Sequence, residues 1–205
     1  MTVNIQMIPC GSYQANAYLV ALEAREDCVL IDPGDDLKRL EKALEGRTLG
    51  AILLTHGHFD HILSAQPLME ATGARVYIHP EDEEMLSDMD KSAYDTAATC
   101  LPPPTRLKAE PMGEALEVCG LRFDVLHTPG HSRGSVSLYL REAGELFTGD
   151  TLFEAGYGRM DLHGGDPRQM LDSLKKLFAL PGETRVWPGH GGPTTIARER
   201  ARYRL

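Results

Sequence analysis

The chain has 205 residues, of which 42% are hydrophobic and 25% charged, as expected for an ordinary globular protein with a sizeable core. Its formal net charge of -9 and its pI near 5.3 argue against a nucleic acid or an anionic membrane surface as the main partner. No charged-then-apolar leader opens the sequence and no apolar run approaches about 18 residues, so we expect a soluble, cytoplasmic protein.

The first quarter of the chain predicts a small β-sheet that leads into a helix. Apolar runs predict strands at residues 3–8, 17–20, 28–31 and 50–54. The third run ends in the turn signal Asp32-Pro33-Gly34, and leucines at helical spacing from Leu37 predict a helix behind it. The fourth run stops where a histidine-rich segment begins.

The middle of the chain is more irregular. A helix is predicted over residues 62–72, closed by Gly73, and it is followed by a strand at 76–78 and an acidic helix at 81–89. Residues 91–111 contain three consecutive prolines, which exclude a helix or a central strand. We expect this segment to be a connector on the surface, near the mouth of any site.

The second half repeats the succession of strands followed by helices. Strands are predicted near residues 115–119, 121–127, 135–140, 145–148 and 184–187. Helices are predicted at about 167–179 and from about 195. Two β-sheets packed together with helices outside, an α/β fold of the αββα type, is the economical architecture. We expect a single domain over residues 1–205.

The cysteines give no sign of a disulfide framework. They lie far apart, without a Cys-x-x-Cys pair, and are Cys10, Cys28, Cys100 and Cys119. A chain of this length does not need covalent staples, so we expect buried thiols in a reducing compartment.

The histidine-rich segment predicts a metal site. Residues 55–61 read Thr-His-Gly-His-Phe-Asp-His, which places three histidines and one aspartate within six residues. Imidazole and carboxylate groups suit zinc, iron or manganese. In an extended segment His56, His58 and Asp60 would face one way. His61 would then face another, which favours two metals over a polar loop or a helix cap.

Three later strand ends also carry a candidate ligand. His131 follows Thr128-Pro129-Gly130, Asp150 follows Thr148-Gly149, and His190 follows Pro188-Gly189. Glycine and proline end each strand and let the backbone come close to another group. The repeated arrangement predicts that these side chains join the histidine-rich segment.

Together these motifs resemble those of the metallo-β-lactamase superfamily and, within it, the short glyoxalase II-like hydrolases without a C-terminal helical extension. The resemblance covers nearly the whole chain. It implies two divalent transition metals, zinc first, with iron or manganese as alternatives. It also implies the ligands of each: His56, His58 and His131 for the first metal, Asp60, His61 and His190 for the second, and Asp150 for both.

The resemblance implies a metal-dependent hydrolase that cleaves a thioester such as S-lactoylglutathione or a related acyl-thiol. Between two cations a water becomes a hydroxide nucleophile, and Asp60 is the implied catalytic residue that orients it. Asp150 disfavours a β-lactam substrate, since Cys or His commonly stands there in true β-lactamases of the family. The open alternatives are a mononuclear iron persulfide dioxygenase, a hydrolase of another ester or lactone, and a non-catalytic relative.

Arg159 is the candidate substrate-binding residue. Its place in Gly-Tyr-Gly-Arg-Met-Asp resembles that of a basic residue which contacts the glutathione carboxylate in related proteins, and the alternative is an ion pair with Asp161 that orders the loop. His79 is expected to be structural, His127 to lie in the core or behind a ligand, and His163 to be a loop residue. Asp32 is a candidate to orient a ligand histidine.

Overall fold

The computed structural model describes residues 2–203, which form two six-stranded sheets. In the first sheet the strands lie side by side in chain order: β1 Val3–Cys10, β2 Ala15–Leu22, β3 Asp27–Ile31, β4 Thr48–Leu53, β5 Arg75–Ile78 and β6 Glu110–Pro111. Strands β1 to β3 pair antiparallel, whereas β3 to β6 pair parallel. The carboxyl ends of β3 and β4 therefore lie at the same edge of this sheet.

The second sheet is mostly antiparallel. Its strands are β7 Ala115–Val118, β8 Leu121–His127, β9 Val136–Leu140, β10 Glu145–Gly149, β11 Arg185–Pro188 and β12 Thr194–Thr195. They lie in the order β12-β11-β10-β9-β8-β7, and only β10 and β11 pair parallel.

Helices cover the outer face of each sheet. They are α1 Leu37–Ala43, α2 Phe59–Ile62, α3 Ala65–Thr72, α4 Pro167–Phe178 and α5 Ile196–Tyr203, with a 3₁₀ helix at Pro80–Leu86. Helix α3 ends at Gly73, whose φ of 72° is the left-handed conformation that glycine adopts without strain. Helix α4 begins at Asp166, whose side chain accepts hydrogen bonds from the backbone N–H groups of Arg168 and Gln169.

Alternating side chains divide the interior into three apolar layers. Along β2, Tyr18 and Val20 point between the two sheets and meet Phe147 and its neighbours, whereas Leu19 points outward with the residues that contact α1 and α3. A third cluster joins the second sheet to α4 and α5 through Leu174 and its neighbours. Fully burying one such side chain contributes roughly 1.5–3 kcal/mol. The predicted αββα sandwich is confirmed.

The structure corrects several expectations about single elements. The predicted helix over 62–72 is two helices, because α2 ends at Ile62 before α3 begins, and the predicted helix over 81–89 is the 3₁₀ helix. The short strands β6 and β12 were not expected, since two residues carry no periodicity. Cys10 and Cys28 are buried as expected, but Cys119 is only half-buried and Cys100 is exposed.

Within residues 2–203, none of the helices combines the length and the apolar character needed to cross a lipid bilayer.

Candidate metal centre

The predicted ligands come together at one edge of the sandwich. His56 follows β4 of the first sheet, while Asp150 and His190 follow β10 and β11 of the second. The two sheets are joined there by a hydrogen bond from the Val136 amide to the Thr55 carbonyl, 2.9 Å long. The site therefore lies between the two halves of the fold.

Three groups of three side chains are each compact enough to hold one ion, because one nitrogen or oxygen atom from each member lies within 4.8 Å of the others. The first group is His56, His58 and His131, the second group is Asp60, His61 and His190, and a third, Asp32, His56 and His61, shares a histidine with each of them. The resemblance implies the first two as the ligand sets, and this assignment stays a prediction. Asp60 belongs to the first turn of α2, so the expectation that it faces the same way as His56 and His58 in an extended segment is wrong.

Asp150 lies between the two groups. One of its carboxylate oxygens is 3.5 Å from His61 Nε2, and the other is 3.5 Å from His131 Nε2 and 3.6 Å from His190 Nε2. A single carboxylate thus reaches both groups. Gly189 makes this position available, because a Cβ there would collide with the carboxylate of Asp150.

Contacts at Nδ1 hold the rings of His131, His190 and His61 so that their Nε2 atoms face the other ligands. His131 Nδ1 donates to the Arg159 carbonyl at 2.7 Å, and His190 Nδ1 donates to the Tyr13 carbonyl at 3.1 Å. His61 Nδ1 lies 3.1 Å from Asp32 Oδ2, which is the contact that the predicted orienting role of Asp32 requires. Such outer contacts fix the orientation and tautomer of a metal-binding imidazole.

His56 is oriented by a residue that the sequence analysis did not single out. Its Nδ1 lies 3.0 Å from Thr55 Oγ1, and that hydroxyl donates to Asp32 Oδ2 at 2.6 Å. Thr55 is the first residue of the histidine-rich segment, next to His56, and this position was the only available signal. The Arg159 carbonyl gave no signal at all, since its role depends on the path of the backbone.

The two groups differ in electrostatics. Burial and the neighbouring imidazoles lower the pKa of His56 well below its usual value and that of His58 to about 3. Burial alone would also lower the pKa of His61, but the carboxylates of Asp60 and Asp150 raise it to about 10. His56 and His58 are thus held as neutral imidazoles, whereas the second group is rich in negative charge.

The residues fit divalent metals. Three candidate ligand atoms are buried without a hydrogen-bond partner within residues 2–203: His56 Nε2, His61 Nε2 and Asp150 Oδ1. His58 differs, because its Nδ1 lies 2.7 Å from His131 Nε2 and is therefore the nitrogen that it turns toward the other ligands. Buried polar atoms are normally paired, and a cation would satisfy inward-facing lone pairs of this kind. Imidazole and carboxylate donors suit zinc, iron and manganese.

A cavity of about 480 Å³ opens onto the site. The side chains of Asp60, Asp150 and His190 reach it, and its outer wall includes Tyr13 and Arg159. A larger surface cleft of about 930 Å³ lies beside the 3₁₀ helix and contains none of the seven predicted ligands. The smaller cavity is therefore the candidate substrate site.

Arg159 lines this cavity, but its guanidinium is already paired. It donates two hydrogen bonds of 2.7 Å to Asp161, and both side chains are more than half exposed. This is the ion pair that the sequence analysis set against a substrate-binding role. The binding role stays a prediction.

The remaining histidines lie away from the ligands. His79 and His127 stack with their ring centroids 4.3 Å apart, and His163 Nε2 lies 3.1 Å from Glu84. His127 is only partly buried and pairs with the Arg133 carbonyl, so the expectation that it lies in the core or behind a ligand is wrong.

Comparison with known proteins agrees with the geometry. The family model of the metallo-beta-lactamase superfamily matches residues 10–190. Hydroxyacylglutathione hydrolase GloC of Haemophilus influenzae is 32% identical over 205 residues, which cover 97% of this chain and 95% of GloC.

Two solved structures share the fold over nearly their whole length. TTHA1623 in a di-iron-bound form is 43% identical with a TM-score of 0.85, covering 96% of this chain and 97% of that one. BLEG-1 B3 metallo-beta-lactamase is 38% identical with a TM-score of 0.84, covering 97% of each chain. The chain belongs to the metallo-β-lactamase superfamily, and hydroxyacylglutathione hydrolases are among its homologues.

Proposed function

We propose that the protein is a hydrolase that uses two divalent metals, zinc first, to cleave a thioester such as S-lactoylglutathione or a related acyl-thiol. The observation that carries this proposal is the position of Asp150, whose two carboxylate oxygens each lie about 3.5 Å from a histidine of a different group. The similarity to hydroxyacylglutathione hydrolase GloC supports the substrate class.

The chain's own residues supply binding, orientation and charge. When bound, two divalent cations would polarise the substrate carbonyl and lower the pKa of the attacking water. His56, His58 and His131 would hold one, Asp60, His61 and His190 the other, and Asp150 both.

Asp60 is suited to orient the attacking water. Burial alone would raise its pKa, but the neighbouring His61 and His190 lower it, so the carboxylate stays ionised at neutral pH. An ionised carboxylate accepts a hydrogen bond and keeps a water in one orientation. Its side chain is about one-seventh exposed, at 14%, and lines the cavity.

The cavity has room for a small acyl-thiol. Its volume of about 480 Å³ lies within the usual range for small-molecule sites, and Tyr13, Phe59, Phe153 and Leu162 give it apolar walls. The ligands lie at its inner end, while Arg159 stands on its outer wall. A thiol carrier with a carboxylate could reach Arg159 only if the guanidinium leaves or shares Asp161.

The decisive experiment is a substrate panel with protein purified without added metal and then loaded with zinc, iron or manganese. We expect about two metal equivalents per chain by elemental analysis and release of free thiol from S-lactoylglutathione or a related thioester. Esters, lactones and a β-lactam belong in the same panel, the last because BLEG-1 is 38% identical.

One result would overturn the proposal in favour of the dioxygenase alternative. A protein that saturates at one iron, consumes oxygen with a thiol persulfide and releases no thiol from any thioester is not the proposed hydrolase. Faster turnover of a β-lactam than of any thioester would refute the substrate class alone.

A further inference from the structure

Asp82 is a fully buried carboxylate that the mechanism above does not use. It lies in the 3₁₀ helix and its exposed fraction is 0%. Among residues 2–203 it forms no ion pair with a lysine or an arginine. Burying a charge without a cationic partner is costly unless several hydrogen bonds stabilise it.

Those hydrogen bonds come from the two loops that carry the first group of ligands. Asp82 Oδ2 accepts from the Gly57 amide at 3.1 Å and from the Ser132 hydroxyl at 2.6 Å, and Oδ1 accepts from the Gly134 amide at 2.6 Å. Gly57 stands between His56 and His58, and Ser132 follows His131. Every histidine of the first group is therefore next to a residue bonded to Asp82.

Close packing leaves these loops little freedom. A Cβ on Gly134 would lie 2.6 Å from the Asp82 backbone nitrogen, and one on Gly57 would lie 2.5 Å from Met85 Cβ. The backbone of both loops thus rests directly on the 3₁₀ helix. A change at the carboxylate would be transmitted to the histidines.

Asp32 has the corresponding position for the second group. Its carboxylate accepts from the Thr55 amide at 2.7 Å and contacts His61 Nδ1 at 3.1 Å. The two aspartates thus bind the backbone on either side of His56. Asp32 accepts from the amide of Thr55, and Asp82 accepts from the amide of Gly57. Each of the two ligand groups is therefore supported by one buried carboxylate that contacts a ligand histidine or the backbone next to it.

Charge gives Asp82 a second effect. The first group consists of three imidazoles, so Asp150, which lies 3.5 Å from His131 Nε2, is the carboxylate nearest to a divalent cation held there. A buried carboxylate behind the ligand loops stabilises the cation without touching it. Asp82→Asn keeps the size but removes this charge, and its NH₂ group cannot accept the hydrogen bond that either the Gly57 or the Gly134 amide donates.

We propose that Asp82 is a positioning residue for the first group, and that it sets the metal affinity of His56, His58 and His131 without setting that of Asp60, His61 and His190. The inference rests on the two-metal site proposed above. It concerns metal occupancy and not the substrate.

The test measures zinc affinity in proteins where one group is disabled. His190→Ala removes a ligand of the second group, and His131→Ala removes one of the first. We expect Asp82→Asn to weaken zinc binding roughly 10–100-fold in the His190→Ala background, as for other groups that orient metal ligands. In the His131→Ala background it should leave the affinity unchanged. Competition with a chromophoric chelator gives both values.

Asp172→Asn is the matched control, because Asp172 lies on α4 with its side chain 77% exposed. It should change neither affinity. Equal weakening by Asp82→Asn in both backgrounds, or no weakening in the first, would overturn the proposal.

Ser132→Ala keeps the test decisive if Asp82→Asn does not fold. It removes one donor to the same carboxylate and retains the charge, so it should weaken zinc binding less, but again only in the His190→Ala background. No effect there would overturn the role of Asp82. A wild-type protein that binds no zinc would overturn the two-metal site itself, and this role with it.

Discussion

At the scale of single residues, Asp150 is the side chain on which the proposed two-metal site most depends. We predict that Asp150→Asn lowers the affinity for at least one metal and lowers hydrolysis by orders of magnitude, because it removes the charge that offsets two close cations. Elemental analysis and thiol release measure the two effects. Asp172→Asn should change neither, and an Asp150→Asn protein with both metals and normal hydrolysis would contradict the bridging role.

Substitutions at Arg159 and Asp161 show whether the Arg159 side chain binds substrate or only orders the loop. We predict that Arg159→Ala raises KM for an anionic thioester much more than it lowers kcat, since a remote clamp binds ground and transition states alike. The truncation leaves the Arg159 carbonyl to orient His131.

Asp161→Ala is the complementary variant, because it frees the guanidinium without removing it. Under the binding role KM should stay the same or fall. If both variants raise KM equally, the exposed ion pair orders the loop, and its loss should change the stability of the fold little.

At the scale of elements, the 3₁₀ helix depends on the protonation state of His79. The neutral ring accepts a hydrogen bond at Nδ1 from the Glu81 amide, 3.3 Å long, which caps the helix. Burial and the stacked ring of His127 lower the pKa of His79 below its usual value. The folded protein therefore takes up this proton less readily than the unfolded chain does.

The sign of the resulting pH dependence is definite. The stability that the neutral His79 cap contributes is fully present above the pKa of His79 in the unfolded chain, which is about 6.5. It is lost as the pH falls through the lower pKa of His79 in the folded protein. We predict that wild type loses stability relative to His79→Asn between about pH 7 and pH 5, because Asn caps the helix at any pH. Urea unfolding at both pH values measures this, and parallel losses in the two proteins would contradict it.

At the scale of the whole molecule, the ligands belong to loops from both sheets, so bound metal should hold the two halves together. A ligand present at about 100 times its Kd stabilises the folded state by about 2.7 kcal/mol per site. For a protein of this size about 1 kcal/mol shifts Tm by roughly 2–4 °C. We predict that a strong chelator lowers Tm by about 5 °C or more and that added zinc restores it.

Scanning calorimetry with elemental analysis of the same sample measures this effect. An unchanged Tm in protein proven to be free of metal would contradict the prediction. His131→Ala, which removes one ligand from the second half, should make the chelator effect smaller.

Local patterns in the sequence were enough to predict most of the elements and the candidate ligands. The apolar runs around Leu30, Ile52 and Leu138 mark buried strands because a strand with both faces covered is apolar throughout. Glycine and proline before His131, Asp150 and His190 mark strand ends because these residues stop a ladder. The resemblance carried by these motifs supplied the αββα fold and the division of ligands into two groups.

Only the tertiary structure showed which groups hold the ligand residues in place. Asp82 belongs to a different element from every residue it bonds, so no spacing in the sequence links it to Gly57, Ser132 or Gly134. The Arg159 carbonyl acts through the backbone, which the identity of the side chain does not reveal. A sequence specifies ligands by residue type and local order, but contacts between distant segments exist only after packing has fixed their distances.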